Sequence, residues 1–239
     1  MFALVAGPAV AEKPAAIGLF TSLPILWPET DDLSAMLHAA APPHWARAVI
    51  ARHGAIVPLD RYDTSDKGLT ALRLIIMPQP RALAPAENVV LDGWVRGGGH
   101  LLLFADPMLT QDSVFALGDR RRPMDIAMLA PLLRHWGLIM VFDREQPAGE
   151  RLGRMSDISF PVNLAGRLVV TRKRGPCRPI NHGLGAECRI GKGHALVVAD
   201  AALFETRNSE MRKLRTAALD GLIGLAARTT SPVKLGKFR

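Results

Sequence analysis

The sequence has few aromatic residues and no long hydrophobic segment. Aromatic residues make up 5% of the 239 residues, with a single Tyr, and the basic residues are not interleaved with them. Nucleic-acid binding is therefore judged unlikely despite the formal charge of +8, because no platform for base stacking is visible. No apolar run reaches the roughly 20 residues that a membrane-spanning helix needs, so no transmembrane helix is predicted.

Cysteine is also scarce, with Cys177 and Cys188 as the two examples. Neither has the CxxC or Cys/His spacing that is typical of zinc sites, so the alternatives are two buried thiols or one disulfide. Pro and Gly residues in the segment 178–187 favour a chain reversal, which would bring the two Cα atoms within the about 4.4 to 6.8 Å that a disulfide allows. If the protein is exported, we predict that the bond forms and stabilises the fold by about 2 to 3 kcal/mol.

The first eleven residues resemble the end of a secretory signal. They form a short apolar segment that closes with the small-x-small site Ala9-Val10-Ala11, and polar residues follow. The positively charged start of such a signal is missing, so either the true start lies upstream or the match is a coincidence of an Ala-rich sequence. We expect a periplasmic or envelope-associated protein, with a cytoplasmic location as the alternative.

The stretch 72–107 predicts a strand–helix–strand unit. Two short apolar runs, at 72–77 and 101–105, flank an amphipathic segment at 84–96. Both runs are uniformly apolar, which is the pattern of parallel strands buried on both faces. The glycines at 97–99 follow the helix instead of opening one, so they predict a helix cap and not a phosphate-binding loop.

The remainder of the chain continues an α/β pattern up to residue 142 and again after 190. Further strands are predicted at 15–23, 55–59, 138–142 and 194–200, and further helices near 33–40, 45–53, 124–136 and 209–227. We predict an α/β fold with a three-layer, mostly parallel sheet of the flavodoxin/amidotransferase-like type. It would form a single domain over 12–228 with a β-rich insertion at about 143–190 that includes a strand near 167–171, followed by a basic tail at 229–239.

The carboxyl ends of the predicted strands carry polar residues, and ligands of open parallel sheets bind there. The candidate crevice consists of Thr21, Ser22, Gln79, Arg81, Asp106 and Asp200. Asp106 and Asp200 have two interpretations: a metal-binding or acid–base pair, or caps of the turns that follow the strands. Capping is the commoner use of Asp at this position and is the interpretation we favour. No cofactor, metal or catalytic residue is therefore predicted.

Several segments together resemble a known family. They are the apolar strand 74–76 with its Pro-bounded turn, the helix start at 84–88, and the stretches 97–107 and 191–204. In this order they are similar to the GldG-type auxiliary domain of ABC transport systems, which resembles class I glutamine amidotransferases in fold but lacks their catalytic residues. The resemblance covers roughly 71–107 and 191–204. It implies an amidotransferase-like fold and an envelope or ABC transporter protein as a partner.

Two features depart from that family and its fold relatives. Family members usually carry transmembrane helices, and none is encoded here. An amidotransferase would place a nucleophilic Cys at a strand-to-helix elbow, and neither Cys177 nor Cys188 lies at such a junction. The main hypothesis is therefore a non-enzymatic accessory or binding domain of an envelope transport system. The alternative is a hydrolase or metal-dependent enzyme that uses Asp106 and Asp200, with Arg81 or Arg120 holding an anionic substrate.

Overall fold

The structure is a computed structural model that describes residues 16–30, 42–61, 67–206 and 210–228. The predicted leader at 1–11, the predicted helix at 33–40 and the basic tail at 229–239 lie outside the described residues. The described strands are β1 Ala16–Leu19, β2 Ala55–Pro58, β3 Leu72–Pro78, β4 His100–Phe104, β5 Leu138–Val141, β6 Arg151–Met155, β7 Ile158–Val162, β8 Arg167–Val170, β9 Cys177–Ile180, β10 Gly185–Ile190 and β11 Gly193–Val198. The described α-helices are α1 Trp45–His53, α2 Lys67–Thr70, α3 Pro85–Arg96, α4 Ala130–His135 and α5 Arg212–Ala227.

A mostly parallel sheet of seven strands forms the centre of the molecule, in the order β2-β1-β3-β4-β11-β10-β9. The strands from β2 to β11 pair in parallel, whereas β10 and β9 add to the sheet in antiparallel fashion. The predicted unit at 72–107 is confirmed, because β3 and β4 are parallel neighbours joined through α3. The α/β class predicted from the sequence is therefore correct.

Helices cover both faces of this sheet. In β3, Leu74 and Ile76 belong to the apolar core that contains residues of α1 and α5. The alternate residues Ile75 and Met77 belong to the core that contains residues of α3 and α4. Because side chains alternate across a strand, a strand covered on both sides must be apolar at every position. This explains the apolar runs in the sequence, in which the exposed Arg73 near the start of β3 is the exception.

Helix α3 shows how the local sequence fixes an element. Pro85 occupies its first turn, where a missing N–H costs nothing, and the Glu87 carboxylate accepts a hydrogen bond from the amide of Ala84 at 2.8 Å. At the other end Gly98 takes a φ of 122°, a conformation that glycine adopts without steric cost. The predicted helix at 84–96 and its glycine cap are therefore confirmed.

The helix predicted at 124–136 is wrong in its first half, because α4 begins only at Ala130. In a longer helix the Pro131 ring would clash with the carbonyl of residue 127 and interrupt the backbone hydrogen bonds. The backbone before Pro131 makes hydrogen bonds outside any helix, since the amide of Ala127 donates to the carbonyl of Asp106 at 2.8 Å. Residues 106–129 consequently form a long loop at the carboxyl end of β4.

The strands after α4 also differ from the prediction. The strand predicted at 138–142 was expected to continue the parallel sheet, but β5 pairs antiparallel with β8 in a separate two-stranded sheet. Strands β6 and β7 form a hairpin of their own. By contrast, β9 and β10, which lie in the predicted insertion, extend the central sheet. Short, partly polar strands such as these depend on their partners for stability and carry little signal in the sequence.

The predicted disulfide is present and joins β9 to β10. Cys177 and Cys188 are register partners in the antiparallel pair, with Cα atoms 3.9 Å apart, closer than the range expected from the sequence analysis. Among the described residues, no helix combines the length and apolarity that crossing a bilayer requires.

Candidate functional site

The structure brings most of the predicted crevice residues together at the carboxyl ends of β1, β3 and β4. The hydroxyl of Thr21 donates to the carbonyl of Pro78 at 2.5 Å, and that of Ser22 donates to the carbonyl of Gln79 at 2.5 Å. The buried Gln79 side chain accepts from the amide of Asp106 at 2.9 Å and donates to its carbonyl at 3.2 Å. These polar groups therefore satisfy the backbone where the strands end.

Asp106 and Asp200 are buried and use their carboxylates in the same way. Asp106 accepts hydrogen bonds from the amides of Met108 at 2.7 Å and Ala201 at 2.9 Å. Asp200 accepts from the amides of Asn163 at 2.9 Å and Ala202 at 2.7 Å. Each carboxylate thus has both oxygens engaged, and together they fasten the loops after β4, β7 and β11.

Burial has a strong electrostatic consequence for this pair. It raises the pKa of Asp106 to about 7, against the opposing effect of the amide hydrogen bonds from Met108 and Ala201. Burial and then the nearby Asp106 carboxylate raise the pKa of Asp200 well above its usual value. Two neighbouring buried carboxylates resist simultaneous ionisation, so the pair retains protons at a pH where exposed aspartates have lost theirs.

A further polar network, not predicted from the sequence, continues from Asp200. The amide group of the buried Asn163 donates to the hydroxyl of Thr110 at 2.9 Å, and that hydroxyl donates to Glu205. Asn163 gives no signal in the sequence, because it is a single amide residue between two short strands of the predicted insertion.

These contacts favour the capping interpretation of Asp106 and Asp200. Both side chains are closed off from solvent, with exposed fractions of 0% and 1%. Among the described residues, no group of three or more His, Cys, Asp or Glu side chains could hold a metal ion. An acid–base pair needs access to a substrate, and these two carboxylates have none in this conformation.

Arg81 also has a structural partner instead of an anionic substrate. Its guanidinium binds both carboxylate oxygens of Glu87, at 2.9 and 2.7 Å, and stabilises the first turn of α3. It lies 4.8 Å from the ring centroid of Phe20. Arg120, the other candidate for anion binding, is exposed and does not line the pocket described next.

An open pocket of about 280 Å³ lies beside this closed layer, at the carboxyl ends of β1 and β2. We call it the strand-end pocket. Its polar lining comprises Thr21, Ser22, Glu29, Thr30, Asp60 and Arg121. Trp27 and Phe115 supply aromatic surface. Of the predicted crevice, Thr21 and Ser22 reach this pocket, whereas Gln79, Arg81, Asp106 and Asp200 do not line it.

Glu29 is the unusual residue of the strand-end pocket. Its Oε2 accepts a hydrogen bond from the amide of Val114 at 3.0 Å. Its Oε1 is buried, yet no described residue donates a hydrogen bond to it. A buried acceptor without a partner costs about 1 to 3 kcal/mol, and such groups need an explanation. Because this oxygen is closed to solvent in this conformation, a ligand's hydrogen-bond donor would satisfy it once the neighbouring pocket wall moves aside.

The aromatic residues of the pocket differ in exposure. Trp27 is 73% exposed and offers its ring to solvent. Phe115 is 9% exposed, and the guanidinium of Arg121 lies 4.1 Å above its ring centroid. An ion pair with Asp119 holds Arg121 in this position, with 2.6 Å between Arg121 Nη2 and Asp119 Oδ2. The sequence did not identify Trp27 or Glu29; the available signal was that their loop follows the first strand at its carboxyl end.

Comparison with known proteins gives a fold but no family. No family model matches the chain, and no curated protein matches it. Among solved structures, it resembles the exo-β-1,4-mannosidase Op5Man5 from Opitutaceae bacterium strain TAV5, with a TM-score of 0.54 and 14% identity over 90% of this chain. It also resembles the mmIFT52 N-terminal domain, with a TM-score of 0.52 and 17% identity over 92% of this chain and 100% of that domain. The GH42 β-galactosidase Gan42B from G. stearothermophilus has a TM-score of 0.50 and 12% identity over 90% of this chain.

The chain spans about a third of the length of the two glycosidases, 36% of the mannosidase and 30% of the galactosidase. At these identities, the likeness concerns the fold. It nevertheless corrects the main functional expectation from the sequence, a non-enzymatic accessory or binding domain of a transport system. That expectation depended on the missing nucleophilic Cys and on the two motif stretches 71–107 and 191–204, whereas two of the three structures named here are glycoside hydrolases. The comparison agrees better with the hydrolase alternative.

Proposed function

We propose that this chain is an α/β domain of a carbohydrate-processing hydrolase and that the strand-end pocket binds a neutral sugar. The observation that carries the proposal is the buried, unpartnered Oε1 of Glu29 in an open pocket. A sugar hydroxyl is a donor of the right kind, because it needs no charge to satisfy a carboxylate oxygen.

The other lining residues fit the same ligand class. Small-molecule sites combine aromatic and apolar walls with a few fixed polar groups, and the strand-end pocket has Trp27 and Phe115 beside Glu29 and Asp60. The exposed Trp27 ring offers a flat apolar surface on which a sugar ring can stack. The volume of about 280 Å³ lies close to the lower end of the usual range for small organic ligands, which favours a small sugar.

The shared fold supports the hydrolase setting. The names of the mannosidase and the β-galactosidase state that they act on carbohydrates, and each match covers 90% of this chain. We also propose a three-layer, flavodoxin/amidotransferase-like arrangement, which the helices on both faces of the sheet support. The disulfide between Cys177 and Cys188 supports a location in an oxidising compartment. Thiol counting on denatured protein from its native source tests that location, and two free thiols would contradict it.

Sugar binding to the purified chain tests the proposal. We expect β-1,4-mannobiose or methyl β-galactoside to give saturable binding by calorimetry and by ligand-observed NMR. Glu29→Gln replaces the free acceptor with an amide that can donate instead, while its carbonyl still serves the amide of Val114. We expect this variant to bind sugar at least about tenfold more weakly.

Glu145→Gln is the matched control, since Glu145 is exposed and outside the strand-end pocket. It should bind sugar as the unaltered chain does. A hydrolysis assay separates turnover in this pocket from binding. It measures the release of nitrophenol from nitrophenyl β-mannoside and β-galactoside by the unaltered chain, by Glu29→Gln and by Asp60→Asn. Failure of both sugars to bind, or equal losses in Glu29→Gln and Glu145→Gln, would refute the sugar site.

A further inference from the structure

A second cavity, of about 590 Å³, lies in the part of the chain that the sequence predicted as an insertion. Its lining comes from hairpin β6–β7, from β8 and the end of β5, and from the 3₁₀ turn Asn181–Gly183. We call it the arginine pocket. It shares no lining residue with the strand-end pocket, so the proposed sugar site does not account for it.

The arginine pocket is positively charged. Arg151 and Arg167 line it from β6 and β8, and Arg167 makes no ion pair with any described residue. Arg151 donates from its Nη2 to the amide oxygen of Gln146 at 2.9 Å, a neutral partner. Asp143 is the one acid among the described residues of the lining, and its Oδ1 accepts from the amide of Glu145 at 3.0 Å. Both arginines are exposed at the mouth of the pocket, and neither makes an ion pair with a described residue.

The turn at the edge of this pocket has an uncommon backbone. Asn181, His182 and Gly183 have φ angles of 47°, 57° and 88°, three successive residues in the left-handed region. Residues other than glycine cost about 1 kcal/mol or more each in that conformation. The fold enforces it: the Asn181 amide donates to the carbonyl of Arg154, and a Cβ on Gly183 would lie 2.5 Å from the carbonyl oxygen of Leu168.

This backbone keeps the polar side chains of Asn181 and His182 in the lining, together with the two arginines. Strained turns of this kind are concentrated at ligand sites, where the surrounding structure holds them in place. The volume is larger than an inorganic ion needs and lies within the usual range for small organic ligands. Apolar surface from the exposed Leu152 and the half-buried Leu184 is available for the body of such a ligand.

We infer that the arginine pocket binds a small organic anion, whose oxyanion group is held by Arg151 and Arg167 while its body lies against the apolar lining. Guanidinium groups match planar carboxylates and phosphates through paired hydrogen bonds, which makes arginine well suited to such a group. Of these two chemistries we commit to a carboxylate, because its planar pair of oxygens fits a guanidinium side by side. The inference is independent of the sugar proposal.

Three probes of similar size test it: glucuronate, glucose 6-phosphate and glucose. The measurements use the full chain carrying Glu29→Gln, so that sugar binding in the strand-end pocket does not contribute. We expect calorimetry to show saturable binding of glucuronate, weaker binding of glucose 6-phosphate and none of glucose. Arg151→Gln and Arg167→Gln should each weaken glucuronate binding at least about tenfold.

Arg144→Gln is the matched control, because Arg144 is exposed and near in sequence but absent from the lining. It should leave glucuronate affinity within about twofold, and equal denaturation midpoints will show that all three variants fold. Equal losses in Arg144→Gln and Arg167→Gln would indicate diffuse surface charge and overturn the site. Tighter binding of glucose 6-phosphate than of glucuronate would overturn the carboxylate assignment. Absence of binding to both anions would overturn the inference altogether, whatever the outcome at Glu29.

Discussion

Asp106 and Asp200 differ from Glu29 in their surroundings, although all three lie near the carboxyl edge of the same sheet. The two aspartates accept two backbone amides each and are sealed from solvent. Glu29 accepts one amide and keeps a second oxygen that no described residue satisfies, beside an open pocket. The location at a strand end is shared, whereas the degree of hydrogen bonding is not.

This contrast shows which strand-end carboxylates are available for a ligand. An oxygen that already accepts from a backbone amide has less acceptor capacity left for a ligand and is held in place by that amide. The remaining oxygen of Glu29 has its full acceptor capacity. The sequence places acids at strand ends, but only the hydrogen bonds show whether an acid serves the fold or remains free.

The largest effect expected from this comparison is the loss of stability in Asp200→Ala. The substitution leaves the buried amides of Asn163 and Ala202 without acceptors, and both loops lose a fixed contact. We expect the free energy of unfolding to fall by about 3 kcal/mol or more, as measured by urea denaturation.

Asp220→Ala is the control, because it removes a surface aspartate instead of a buried one. Asp220 binds Arg52 and His53 at the surface, with 48% of its side chain exposed. Exposed ion pairs contribute about 0 to 1 kcal/mol, so this variant should unfold close to the wild-type midpoint. Similar losses in both variants would remove the distinction between a structural and a surface carboxylate.

The parts of this molecule that the sequence predicted are those where local pattern and tertiary environment agree. Strands β3, β4 and β11 are predominantly apolar because both faces are covered, and α3 has its own start and stop signals. Strands β9 and β10 were not placed in the sheet, because their partly polar sequences reveal no partner. Helix α4 was predicted too long, because the pattern of apolar residues continues through a segment whose backbone hydrogen bonds go to a distant loop.

The site was predictable to a lesser degree than the fold. Thr21, Ser22, Gln79 and Asp106 meet at the strand ends because the topology of a parallel sheet requires it. Whether their polar atoms face each other or a ligand depends on distances that no sequence pattern encodes. Glu29 illustrates this point, since its one free oxygen is a property of how its loop packs beside Val114.

A smaller effect is expected in the pH dependence of stability. The folded-state pKa of Asp106 is about 7, above the usual 3.8, so the folded protein holds a proton that the unfolded chain releases. The resulting stabilisation is complete below about pH 4 and is lost as the pH rises through 7. We expect the unfolding free energy of the wild type to fall, relative to Asp106→Asn, by about 1 kcal/mol or more between about pH 5 and pH 8.

The comparison with Asp106→Asn removes the contributions of titrating groups that do not interact with Asp106. Asp200 is the exception, because the Asp106 carboxylate raises its pKa, so the comparison reports on the pair. Burial lowers the pKa of both His44 and His194, which adds stability as the pH rises and opposes the effect of Asp106 in either protein. The slope of the unfolding free energy against pH must therefore be compared between the two proteins. The slope of either protein alone does not isolate the effect of Asp106. Parallel pH profiles for the two proteins would mean that Asp106 does not carry a raised pKa in the folded state.

The smallest effect on stability is expected at Glu29, and it provides the sharpest contrast with Asp200. In Glu29→Gln the side-chain carbonyl still accepts from the amide of Val114, and the atom that changes had no partner to lose. We therefore expect urea denaturation to show a change within about 0.5 kcal/mol, although sugar affinity falls in the same protein. A loss of about 2 kcal/mol or more would show that Glu29 supports the fold as Asp200 does. The free oxygen would then no longer point to a ligand, and the strand-end pocket would lose the observation on which the sugar proposal depends.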